Sequence, residues 1–186
     1  MDIRRTIATL ERLVAFETVS SRSNIELIDW AANRLNDLGV PAFVQHGDEP
    51  GKANLFATIG PADVPGLMLS GHSDVVPVAG QEWSSDPFRL TDRDGRLYGR
   101  GSADMKGFIA CCLEAVPGMI AAKLRTPVHL ALSYNEESNM GGMRRLAAHL
   151  ASASVKPSIC STCAGRRSPP NSRRCNPTWR AAAKSR

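Results

Sequence analysis

Helical repeats of period 3.6 and short apolar, β-type runs take turns along this chain, and few folds absorb that alternation. Ile3, Ile7, Leu10, Leu13 and Val14 recur at helical spacing and give a first helix, which ends by Thr18 and Ser20-Ser21. Ser23 or Asn24 is placed to cap a second helix, whose apolar face is Leu27, Ile28, Ala31, Leu35 and Leu38. Gly39 followed by Pro41 stops it. Strand candidates follow at 42–45, 54–59 and 66–70, the last an apolar run suited to a buried strand. Residues 79–100 are polar, with Trp83 and Phe88 among them, and read as a surface loop lining a cleft. A strongly apolar helix at 107–122, a strand at 128–134 and a helix at 142–153 complete the series. Strands that alternate with helices imply an α/β fold, a largely parallel sheet with helices on its faces.

A formal charge of +5 invites a nucleic-acid reading, until its distribution is considered. Residues 1–157 carry 16 Lys and Arg against 18 Asp and Glu, whereas residues 158–186 carry 7 Lys and Arg and no acid. Three of the five cysteines, Cys160, Cys163 and Cys175, also crowd into that last segment. Two domains of unlike composition are therefore expected: a folded body over 1–157, and a basic, Cys/Pro/Ser-rich tail over 158–186 without regular periodicity. The simultaneous change in charge, cysteine content and periodicity near 158 is what a shift of reading frame would produce. As a zinc site, Cys160-x-x-Cys163 with Cys175 lacks a fourth ligand. As a nucleic-acid arm, the tail offers only Trp179 for stacking, so no specific nucleic-acid partner is expected. No apolar run is long enough to cross a bilayer and the N-terminus mixes charge into a helical repeat, so neither a membrane partner nor a signal peptide is expected, and the expected location is cytoplasmic.

Three motifs stand at the ends of candidate strands or in the loops after them, where open α/β sheets place their ligands. The first is Ser70-Gly71-His72-Ser73-Asp74. Side chains two apart in an extended segment share a side, so His72 can ligate a metal while Asp74 fixes its surroundings. Taken alone, a His-x-Asp is more often a loop histidine bonded to a carboxylate. The second places Asp104 in the glycine-rich run Gly99–Gly107 before a helix, where it reads either as a ligand or as a helix cap. The third is Asn135-Glu136-Glu137, adjacent carboxylates whose repulsion a cation relieves, or else an exposed acidic loop. Jointly, His, Asp and Glu suit zinc in a hydrolytic site. His46, His129 and His149 read as structural or solvated, and Cys111 and Cys112 as core residues of their helix.

In this order and spacing, the motifs resemble those of the co-catalytic zinc aminoacylases, deacetylases and carboxypeptidases. The intervening text GHSDVVPVAGQEWSSDPFRL, RDGRLYGRGSADMKGFIA and ALSYNEES resembles the acetylornithine deacetylase group within that family. The resemblance implies a three-layer α/β/α catalytic domain with a twisted mixed sheet. It makes His72 a ligand of one zinc ion, Asp104 the carboxylate bridging two, Glu137 a ligand of the second, Glu136 the general base and Asp74 the residue orienting His72. Two Zn2+ per site, replaceable by Co2+, would serve hydrolysis of an N-acyl amino acid, with N2-acetyl-L-ornithine as the expected substrate. Desuccinylase, aminoacylase or carboxypeptidase activity is the alternative within the family.

Two ligands that the family would add, a carboxylate just beyond 157 and a distant histidine, find no counterpart, because residues 158–186 contain no Asp, Glu or His. The remaining sheet strands and the lid, through which the family forms homodimers, are likewise expected to be absent. A catalytically inactive fragment is the rival reading from outside enzymology.

Overall fold

The computed structural model describes residues 2–153 and the backbone of one further strand at 157–162. Helix α1 (Ile3–Ala15) begins at Asp2, whose carboxylate accepts the Arg4 N–H, and ends where Phe16 turns extended. Helix α2 (Ile25–Asp37) starts at Asn24, but the Asn24 side chain caps nothing. It instead brackets Ala53, accepting that residue's N–H at 2.9 Å and donating to its carbonyl at 2.8 Å. Ser23 accepts the Ile25 N–H in its place.

Seven strands follow the two opening helices or lie between the later ones: β1 (Ala42–His46), β2 (Ala53–Ile59), β3 (Gly66–His72), β4 (Thr91–Arg93), β5 (Arg96–Tyr98), β6 (Val128–Ser133) and β7 (Pro157–Thr162). Two more helices, α3 (Gly107–Ala121) and α4 (Gly141–Ser152), flank β6 in sequence. Five strands form one mixed sheet in the order β1-β2-β6-β3-β7. Its β3–β6 and β3–β7 pairs are parallel and its β1–β2 and β2–β6 pairs antiparallel, so the parallel half is smaller than alternation alone suggests. The cause is local. Only six residues join β1 to β2, too few for the crossover that parallel neighbours require.

Strand alternation divides the core into two faces. Leu55, Ala57 and Ile59 of β2, with Leu130 and Leu132 of β6, face α1, α2 and α3, and pack with Leu13, Leu27, Leu35, Ile109 and Leu113. On the other face Phe56, Met68 and Ala131 meet Leu146 and Leu150 of α4. Helices therefore lie on both sides of the sheet, the three-layer arrangement.

The expected loop over 79–100 contains a small hairpin, β4–β5, turned by Asp94 and Gly95 at φ 53° and 72°. Asp-Gly with both central residues left-handed is the turn that matches strand twist, a signal present in the sequence. Strand β7 crosses the composition break at 157–158 and pairs with β3. Apart from the backbone of this strand, the expectations for residues 158–186 lie outside the described residues. No helix among the described residues is long and apolar enough to cross a membrane.

Candidate metal centre

Parallel pairing of β3 with β6 puts His72 opposite Ser133 and brings the two strand ends out at the same edge. His72 thus emerges beside the loop that carries Glu136 and Glu137. Between β5 and α3 the chain makes an irregular turn over 102–106, in which Asp104 is extended (φ −128°, ψ 98°) and follows left-handed Gly101. Asp104 is no helix cap: its side chain turns to His72, with Oδ1 3.1 Å from Nε2.

The three expected ligands converge. One donor atom each from His72, Asp104 and Glu137 lies within 4.8 Å of the others. Glu136 stands beside them, its Oε2 3.9 Å from His72 Nε2. His72 is buried, Asp104 exposed and Glu137 half-buried, so the cluster opens to solvent on one side. Among the described residues no Lys or Arg pairs with Asp74, Asp104, Glu136 or Glu137; His72 is their one ion-pairing partner. Burial raises the Glu137 pKa, and the Asp104, Glu136 and Asp74 carboxylates raise it further against the opposing pull of His72. A surplus of carboxylate around a single imidazole, with mixed N and O donors, is the environment that a divalent cation such as zinc fits.

Asp74 does more than border His72. The His72 Nδ1 lies 2.9 Å from the main-chain carbonyl of Asp74 and 3.7 Å from its Oδ1. The carboxylate itself accepts the backbone N–H of Glu136 at 3.0 Å and of Glu137 at 3.2 Å. It therefore joins the His72 loop to the acidic loop. Asn135 starts that loop at φ 57°, a left-handed conformation that asparagine tolerates, and its carbonyl accepts from Asn139 and Met140.

Two buried lysines adjoin the cluster, and none of the three motifs pointed to them. Lys106 is fully buried and donates to the Phe16 carbonyl at 2.7 Å. Burial lowers its pKa to about 7, and Asp74 opposes the shift. Lys52 donates to the Ser20 carbonyl at 2.7 Å and is lowered by burial too, against the fields of Asp74 and Glu49. Lys52 lies far in sequence from every candidate ligand, so nothing in the sequence marks it as a neighbour of the site.

Away from the site, His129 is buried in β6 with Nδ1 2.9 Å from the Thr58 hydroxyl oxygen, and His149 stacks on Phe43. His46 closes β1. Cys112 is buried as expected of a core residue, while Cys111 is exposed.

Residues 68–171, more than half the chain, match the peptidase family M20/M25/M40. An acetylornithine deacetylase of Proteus mirabilis is 38% identical over 152 residues, covering 81% of this chain and 39% of that protein. The acetylornithine deacetylase of Shigella sonnei is 39% identical over 150 residues, covering 79% and 38%. The chain thus spans about two fifths of the length of these curated relatives. Among solved structures, an M20 family metallo-carboxypeptidase from Sulfolobus solfataricus superposes with a TM-score of 0.73 at 24% identity, over 86% of this chain and 37% of that one. Human carnosine dipeptidase 1 superposes at 0.70, also at 24% identity, over 84% and 38%. The convergence of His72, Asp104 and Glu137 at one sheet edge and the match across the segment that carries all three lead to one assignment: the chain belongs to peptidase family M20/M25/M40, a family of hydrolases.

Proposed function

We propose that this chain supplies the metal-binding edge of a zinc-dependent amidohydrolase acting on N-acyl amino acids, with N2-acetyl-L-ornithine as substrate and L-ornithine and acetate as products. The observation that carries the reading is the convergence of His72, Asp104 and Glu137, flanked by a carboxylate, Glu136, that is not needed as a ligand. The deacetylase relatives, at 38% and 39% identity, favour the acetylated amino acid as the substrate class.

In this reading His72, Asp104 and Glu137 hold the metal. When bound, a divalent metal supplies Lewis acidity toward the amide carbonyl and lowers the pKa of water toward neutrality. Glu136 accepts the proton of the attacking water on Oε2 and returns it to the departing amine nitrogen. Asp74 holds the backbone of both glutamates, so that the base and the ligand keep a fixed offset. No side chain need act as a nucleophile.

Zinc content of the purified chain and acetate release from N2-acetyl-L-ornithine test the reading together. Zinc retention lost in His72→Ala, with turnover reduced at least about a hundredfold in Glu136→Gln while zinc stays bound, is the expected result. A folded chain that neither retains zinc nor releases acetate would leave the inactive fragment as the better description.

A further inference from the structure

The connection between α1 and α2, residues 16–24, contributes none of the candidate ligands and lies outside the segment matched to the family, yet it touches both the His72 loop and the turn that carries Asp104. Phe16 accepts the Lys106 ammonium through its carbonyl, two residues beyond Asp104. The Thr18 hydroxyl donates to the Ser73 carbonyl at 2.6 Å, and Val19 forms a parallel bridge with Val75, with Ser20 N donating to the Val75 carbonyl and Val75 N to that of Thr18. Asn24 Nδ2 reaches Ser73 Oγ at 2.8 Å. One contact in the set is aimed at a functional group: the Ser20 hydroxyl donates to Asp74 Oδ2 at 2.6 Å.

Asp74 thereby accepts three hydrogen bonds, one from Ser20 and one from each glutamate N–H. Its Oδ2 is shared between Ser20 and Glu137, the ligand, while Oδ1 takes Glu136, the base. A hydroxyl donor on one carboxylate oxygen fixes the rotation of the group, and that rotation sets where both glutamate backbones sit. Lys52 holds the Ser20 carbonyl from the far side, so the hydroxyl is presented from an anchored residue. A contact outside the ligand shell that orients the shell's own hydrogen-bond partners tunes metal affinity without touching the metal.

We infer that Ser20 is a positioning residue of the metal centre, acting through Asp74 on Glu136 and Glu137. The inference rests on the reading of His72, Asp104 and Glu137 as metal ligands. Its test measures Zn2+ affinity of the full chain by competition with a chromophoric chelator, and the visible absorption of the chain loaded with Co2+, for Ser20→Ala, Ser20→Thr, Asp74→Asn and the Ser20→Ala/Asp74→Asn double variant. Thr9→Ala, which removes an interhelical bond to Glu114 far from the cluster, reports a loss of stability alone.

Ser20→Ala is expected to weaken Zn2+ binding about tenfold, the lower end for partners behind the ligands, and to shift the Co2+ bands. Ser20→Thr, which keeps the hydroxyl, restores both. In the Asp74→Asn background the Ser20 change costs nothing further, because its route to the metal is already cut. Thr9→Ala lowers thermal stability and leaves affinity and spectrum unchanged. An unchanged affinity and spectrum in Ser20→Ala, or an equal loss with and without Asp74, overturns the inference. Should the unaltered chain bind neither ion more tightly than His72→Ala does, the metal-site reading itself fails; His72-dependent binding that is indifferent to Ser20 removes only the role of Ser20.

Discussion

Gly101 shows how little freedom the residues around the site retain. Its φ of 78° is left-handed, and a Cβ there would sit 2.6 Å from Val75 Cγ1, a fully buried methyl beneath the His72 loop. Gly39 has the same backbone, at φ 76°, with nothing near a Cβ. Alanine at Gly39 should cost only the left-handed backbone penalty, about 1–2 kcal/mol, whereas Gly101→Ala adds overpacking and should cost about 2–4 kcal/mol in denaturant unfolding. Equal losses at the two positions would mean that Val75 gives way. At this scale the candidate ligands were legible, because His72 and Glu137 sit in short motifs at strand ends and Asp104 in a glycine-rich run before a helix. Their connections were not. Asp74 works by accepting main-chain N–H groups, which every residue but proline offers, and Ser20 lies in a stretch that reads only as a helix stop.

Elements were legible in kind and less so in pairing. All four helices, and β1, β2, β3 and β6 of the main sheet, follow from the alternation of helical repeats with short apolar runs; β7, which runs into the tail of unlike composition, does not. Strand direction depends on connection length and on which neighbour a strand finds, and β6 inserts between β2 and β3 although it is distant in sequence. The two faces of the sheet also differ in depth. Leu35 of α2 is fully buried in the larger cluster against β2 and its helical neighbours, whereas Leu146 of α4 belongs to a cluster of five among the described residues. A smaller cluster under a single helix can close around a deletion more readily. Leu35→Ala should therefore cost about 3–5 kcal/mol and Leu146→Ala about 2–3 kcal/mol, as unfolding midpoints of the two variants would show.

For the whole molecule, one buried histidine links stability to pH. Burial of His129 in β6 lowers its pKa below the ordinary 6.5, so the unfolded chain takes up the proton first as the solution is acidified. His129 thus contributes stability above about pH 6.5 that is lost as pH falls toward its folded pKa. Unfolding free energy should rise with pH through that window, and His129→Gln should flatten this part of the profile; an unchanged slope would reassign the dependence to other groups. The bonds that hold the candidate metal centre together impose another order on the molecule, one of time. Phe16 meets Lys106 across 90 positions of sequence, Thr18 meets Ser73 across 55, and Asp74 meets Glu136 across 62. Closures of that span follow the local helices and hairpins during folding, because their loop entropy is met only once the sheet exists to receive them. The cluster of His72, Asp104 and Glu137 is thus among the last parts of the molecule to be assembled, after the local helices and hairpins that carry its residues.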